Sequence, residues 1–421
     1  MRKLLLIGVL VLIGAAAFAQ AATPAAAPTM AFTGALYTGT IAQSINGSTP
    51  SLGIWDPVNQ TMSRFNFQGT INGGTWGLNF RLREDDNWVQ FSNNVTISGV
   101  NLPSAPTFRR LYAWMEPLPG VVRIVVGRLS GYEWATGDAG GFSTLGNLDG
   151  AVGAQLQIKP IDGLNFGAFL PFTYGLSNAL QPNLDLDEAL NFVAFGGKYT
   201  MKGVGDIEAG YWLMPNGFGA ANVVTSKFFQ YAKAWFGAEY VGTPNLTALL
   251  ESQFVFAANS INNYSYLDEQ ASYKMDQLGL TLYAEQLIWN SAATSLVNQG
   301  AFLGFRPVVD YAMGSLDVGV YAEIVYTTNT TTAYNNGQLG YSFGPFVKLT
   351  VAKNIYMRLQ PEYGGGGVTP PINGAPLQDF PGDNGSPTYQ AGLNPNASGS
   401  GGFGPLANPY WQVFLNFVVS F

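Results

Sequence analysis

Across residues 151–159 the chain alternates strictly. Val152, Ala154, Leu156 and Ile158 fall on one face of an extended segment, with Gln155, Gln157 and Lys159 on the other. A period of two with one apolar and one polar side is the pattern of a β-strand between two different media. The same pattern runs through 192–202, 206–213, 280–288, 316–326 and 355–363. It predicts strands at 30–42, 60–71, 75–84, 107–116, 121–130, 151–159, 164–174, 191–202, 206–214, 227–241, 246–257, 264–276, 279–289, 301–312, 315–327, 339–352, 355–363 and 409–421. Short turns such as Asn72-Gly73-Gly74, Gly203-Val204-Gly205 and Lys353-Asn354 alternate with longer loops at 43–59, 85–106, 131–150, 175–190 and onward to 364–408. Tight turns at one rim and loops at the other predict an all-β fold, a transmembrane antiparallel up-and-down β-barrel of about eighteen strands, with sixteen as the alternative count. Helical periodicity and fixed-period repeats are both missing.

Strand length agrees with a membrane. About ten residues at about 3.3 Å each, tilted near 40°, cover roughly the 25 Å of an outer-membrane apolar band. Tyr211, Phe228, Tyr240, Tyr326 and Tyr363 stand near segment ends, where aromatic girdles belong. Only 11% of the 421 residues are charged, against 47% hydrophobic. A soluble domain carries about 25%. A face that meets lipid on every strand accounts for the deficit.

The first residues address the chain. Arg2 and Lys3 precede an apolar run from Leu4 to Ala16, and Ala17-Phe18-Ala19 forms an A-x-A cleavage site. Residues 1–19 therefore read as a secretory signal peptide, 20–29 as an Ala/Pro-rich leader, and 30–421 as the barrel. The net charge of −7 becomes −9 without the signal, from 17 basic and 26 acidic residues. No basic tract offers a footprint to nucleic acid. The chain has no His and no Cys, which removes Ser-His-Asp and Cys-His catalysis, Cys/His metal sites and disulfides. No enzyme activity, cofactor or metal is expected. Asp185-Leu186-Asp187-Glu188 lacks the spacing of a calcium loop and reads as a solvated acidic loop.

At the end of the chain, Trp411, Val413, Leu415, Phe417, Val419 and Phe421 alternate with Gln412, Asn416 and Ser420. This resembles the terminal insertion signal of bacterial outer-membrane barrels, with Phe421 as its C-terminal aromatic. The fifth predicted strand carries Gly127-Arg128 before the Gly-rich loop 131–150, with Arg128 opposite in parity to Arg123, so that either a bulge intervenes or Arg128 has entered the loop. There the chain resembles the general bacterial porins, in which the loop after the fifth strand folds inward as a constriction. The resemblance implies passive diffusion of small hydrophilic solutes and ions through a water-filled channel in the outer membrane. It also implies outer-membrane lipid, the barrel-assembly machinery and periplasmic chaperones as partners, and a homotrimer.

Alternation places Arg64, Arg81, Arg83, Arg110, Arg123 and Lys159 on inward faces of strands two to six, as a basic arc lining the pore. Later strands carry a mixed set that includes Glu208, Arg306, Glu323 and Glu362. By the porin resemblance, Glu133, Asp138 and Asp149 of the constriction loop supply the acidic side of a transverse field, with Glu133 and Asp138 facing Arg81, Arg83, Arg110 and Arg123. Tyr112, Trp114, Trp212, Tyr231 and Trp235 also fall inward. They form either a track for sugar rings, as in the sugar-selective porins, or space-filling and anchoring contacts. A surface adhesin built on the same barrel is a further alternative, and the Gly/Pro-rich loop 364–408 is a candidate cap on the outer mouth.

Overall fold

The computed structural model describes residues 27–45, 47, 49–54, 63–85, 95–97, 100–102, 107–131, 147–172, 190, 193–213, 231–257, 264–289, 300–329, 338–365 and 409–421. The wall begins with β1 (Thr29–Ile45), followed by the short β2 (Ser51–Ile54), β3 (Ser63–Asn72) and β4 (Trp76–Asp85). A separate two-stranded hairpin is made by β5 (Val95–Ile97) and β6 (Val100–Leu102). The wall continues through β7 (Thr107–Leu118), β8 (Val122–Gly131), β9 (Asn147–Ile161), β10 (Leu164–Pro171), β11 (Ala194–Met201) and β12 (Gly205–Leu213). Next come β13 (Tyr231–Tyr240), β14 (Leu246–Ala257), β15 (Tyr264–Met275), β16 (Leu278–Trp289) and β17 (Gly300–Met313). It ends with β18 (Leu316–Asn329), β19 (Gln338–Ala352), β20 (Ile355–Gly365) and β21 (Tyr410–Ser420).

All pairings are antiparallel between neighbours, and β21 returns to β1 from Ala35↔Ser420 to Ile45↔Tyr410, which closes the sheet. The main sheet has 19 strands, of which 18 form the barrel wall. The remaining strand, β2, pairs with Thr40–Gln43 of β1 above the point where β3 leaves it at Thr38. The eighteen-strand reading holds, and sixteen does not. Segments as short as β2, β5 and β6 carry too few alternations to be read from sequence.

Solvent exposure distinguishes the two faces. Gln155 and Gln157 are each 1% exposed, whereas Val126 and Ile158 of the same strand pair are 45% and 41% exposed. The inversion recurs around the wall: Phe236, Phe254, Phe305, Val320 and Phe343 lie open outside, and Glu208, Glu251, Glu323, Gln360 and Asn416 are buried inside. Water outside would be the wrong solvent for such a surface, and hydrocarbon is the right one. Outward Tyr240, Tyr273 and Tyr311 lie toward the turn rim, and Tyr326, Tyr363 and Trp411 toward the loop rim, as the girdles require.

Three features of the sequence reading are corrected. Strand β9 starts at Asn147, which pairs with Gly131 after a register shift, so Asp149 stands on a strand and not in the preceding loop. The stretch Gly146-Asn147-Leu148-Asp149-Gly150 has no apolar alternation to reveal it. Arg128 neither follows a bulge nor enters the loop: the register runs unbroken through Gly127 and Arg128, and Arg128 opposes Leu111 and Val152 in the outward row. The barrel starts at Thr29, one residue into the leader. Residues 1–26, Glu133, Asp138, Phe228, the 185–188 acidic run and 366–408 lie outside the described residues.

Candidate functional site: the barrel lumen

The inward rows of β3, β4 and β7 concentrate arginine. Arg81 stands directly opposite Arg110, Arg83 opposite Asn66, and Arg64 opposite Asp85. Arg110 reaches this row through a bulge: Arg81 pairs with Arg110 but the next residue, Leu82, pairs with Phe108. Arg109 is the extra residue, so Phe108 turns outward to lipid while Arg110 turns into the lumen. Like charges directly opposite on neighbouring strands destabilise a sheet. The Arg81 Nε donates to Asn66 Oδ1 at 3.3 Å. Both guanidinium side chains are half-buried, and the Nε of Arg110 is buried without a hydrogen-bond partner.

Arg123 and Lys159 sit on a different level. Trp114 pairs with Val125, and Arg123 lies two residues nearer the turn, about six residues below Arg110. At about 3.3 Å per residue that is roughly 20 Å along the strand. Arg123 donates from Nε and Nη2 to Glu116 Oε1 at 2.9 and 2.7 Å, and its Cζ lies 4.3 Å from the Trp114 ring centroid. Glu116 Oε2 also accepts from the Gly120 backbone N–H at 3.0 Å. Arg123 therefore braces the turn between β7 and β8 as half of an ion pair. The single basic arc expected from sequence divides into an upper arginine group and a turn-rim level at which Arg123 is paired with Glu116.

The mixed charges of the later strands also pair. Lys198 meets Asp206 at 2.7 Å and Lys348 meets Asp317 at 3.8 Å, all four part-exposed. Lys348 lies 4.8 Å from the Tyr356 centroid, and Arg358 4.4 Å from that of Phe346. Arg81 and Arg110 are directly opposite each other in register on the inner wall.

The aromatic residues fill space. Tyr112, Val125, Leu129, Phe169, Ala194, Trp212 and Trp235 form one buried cluster on the inner wall, with Trp114 against it. Much of it is one lateral row, in which Trp114, Val125, Gln155, Phe169, Ala194 and Trp212 are successive register partners. The Trp235 ring lies flat over Gly210, where a Cβ would come within 2.0 Å of it. At 3% exposure Trp235 offers no face to a passing sugar, and Trp212 and Tyr112 offer little more. Tyr231 occupies the first position of β13, opposite Ala257.

A second assembly crosses β17 to β21. Arg306 donates from Nη2 to Glu323 Oε2 at 3.0 Å, with the two side chains 1% and 0% exposed. Glu362 accepts from the hydroxyls of Tyr321 and Tyr410 and from Gln412 Nε2, the latter two at 2.8 Å each. Gln360 Nε2 donates to the Tyr321 hydroxyl at 3.0 Å. Alternation placed the charged members inward, but their joining into one network depends on register between strands 17 to 50 residues apart in sequence. A buried, hydrogen-bonded network of this kind fixes one arrangement of the wall.

No family model matches the sequence, and no curated protein matches it. Solved structures do match in shape. The chain is similar to OpdQ of Pseudomonas aeruginosa at 9% identity and a TM-score of 0.51, covering 94% of this chain and 97% of that one. It is similar to a BenF-like porin of Pseudomonas fluorescens Pf-5 at 10% identity and a TM-score of 0.51, over 94% and 99%. OccK10 of Pseudomonas aeruginosa gives 11% identity and a TM-score of 0.50, over 93% and 99%. At these identities it is the fold that is shared, and the fold is that of the closed porin barrel.

Proposed function

We propose that this chain is a channel of the bacterial outer membrane through which small hydrophilic solutes and ions diffuse passively. The observation that carries the reading is the inverted barrel: eighteen strands with hydrocarbon-compatible side chains outside and charged and amide side chains inside. A barrel of this strand number is too wide for side chains to fill and encloses an aqueous path. The signal peptide expected over 1–19 fits export. The short turns then face the periplasm. Resemblance to the porins extends the proposal to a homotrimer. The chemistry of the chain favours a channel over an enzyme, because it has neither His nor Cys to activate a nucleophile.

Selectivity in this reading comes from Arg81 and Arg110. Their two positive charges, directly opposite each other on β4 and β7, lie on a low-dielectric wall, which focuses the field and draws anions. Liposome swelling tests the proposal. Proteoliposomes should swell in small sugars and amino acids at rates that fall with solute size, and vesicles with no protein should not. Equal swelling of loaded and empty vesicles would refute it.

A further inference from the structure

The outward rows of the wall carry two opposite charges at one level. Arg128 stands on β8 between Leu111 of β7 and Val152 of β9, with Phe80 beyond Leu111 in the same row. Glu269 stands on β15 between Leu250 and Ala284, with Phe305 beyond Ala284. Both rows face away from the lumen, as the open outer side chains of Leu111 and Phe305 show. Each charge lies six residues from the turn end of its strand, Val122 for Arg128 and Met275 for Glu269. At about 3.3 Å per residue and 40° tilt that is roughly 15 Å into the band.

This level lies between the two girdles. On the turn side Tyr273 is two residues from the end of β15. On the loop side Tyr363 is eight residues from the start of β20, and Trp411 nine from the end of β21. Water and lipid headgroups lie outside the girdles, so hydrocarbon offers an ionised group here no partner. Neither residue has an ion-pair partner among the described residues, and the Nε of Arg128 is buried without a hydrogen bond. Ionisable side chains at membrane depth pair with one another. These two cannot meet within one barrel, because seven strand steps along the wall separate β8 from β15. They can meet between two barrels standing side by side. The relief suits that contact: Ala271 and Ala284 flank Glu269 with small side chains and leave room for a long guanidinium arm. A lipid phosphate would answer Arg128 alone and leave Glu269 unanswered.

We propose that copies of this chain associate laterally in the membrane, with Arg128 of one copy paired with Glu269 of the next. The contact is heterologous, so one copy can hold a neighbour on each of two faces. The inference rests on the membrane placement proposed above and is independent of what crosses the lumen.

Full-length protein inserted into vesicles of phosphatidylethanolamine and phosphatidylglycerol tests it, with association read as energy transfer between donor- and acceptor-labelled copies. The wild type should associate. Arg128→Glu and Glu269→Arg should each associate about tenfold more weakly, and the two changes together, which exchange the charges, should restore association. Arg128→Leu and Glu269→Leu, which suit lipid and so keep the test decisive if a reversed charge blocks folding, should also associate more weakly. A wild type that stays monomeric, leucine variants that associate as the wild type does, or a double exchange with no recovery would each overturn the proposal. So would a phospholipid retained by the wild type and lost in Arg128→Leu while association is unchanged. Protein that fails to enter vesicles would refute the membrane placement itself, and this contact with it.

Discussion

The ring of Phe421 lies on Gly34 across the seam where the last strand meets the first. The two residues exchange both backbone hydrogen bonds at 2.9 Å, and a Cβ on residue 34 would fall 2.3 Å from the phenyl Cζ. The C-terminal aromatic is thus also a closing contact, in which a ring covers a glycine on the facing strand.

Phe421→Ala should therefore weaken closure. It keeps the two backbone hydrogen bonds and loses only the ring, for a cost of about 1 kcal/mol, the upper range for one cross-strand pair. Deleting residue 421 removes the hydrogen bonds as well and should cost more. Urea unfolding of refolded barrels, followed by tryptophan fluorescence, gives both values.

The buried pair of Arg306 and Glu323 makes a sharper prediction. Glu323→Leu leaves a guanidinium in a dry wall and should destabilise by about 3–5 kcal/mol. Arg306→Met combined with Glu323→Leu should recover most of that loss, since replacing both partners removes the stranded charge. A double variant no better than the single one in the same unfolding assay would show that the pair acts through its neighbours.

Charge changes at two levels of the lumen should differ in effect. Arg81→Glu with Arg110→Glu should shift the reversal potential in a salt gradient toward cation permeation. Arg123→Gln combined with Glu116→Gln, which removes the rim ion pair without changing the net charge, should leave it nearly unchanged. Equal shifts would mean that the rim governs selectivity.

The aromatic cluster should govern stability, with little influence on binding. Trp235→Ala uncovers Gly210 and empties a packed site, which should cost about 3–5 kcal/mol. Block of ion current by added maltooligosaccharide should not change. Loss of block in that variant would restore the sugar-track reading.

The sequence carried the wall well because each strand separates oil from polar side chains, and a period of two is then obligatory over ten residues or more. All eighteen segments recur, most within a few residues of their predicted ends. What depends on register was hidden. Arg110 and Phe108 share a parity, and only the bulge at Arg109 sends them to opposite faces. Likewise alternation sets Arg123 and Glu116 on the same inward face, but only the turn between their strands shows that they pair.

Single-channel recording in a planar bilayer tests for an open aqueous path through the barrel. Refolded protein should insert in uniform steps with an ohmic current–voltage relation, and the reversal potential should move toward cations in the Arg81→Glu, Arg110→Glu variant. Protein that circular dichroism shows to be folded β-sheet, yet that passes no current at any voltage, would mean that the barrel holds no open path.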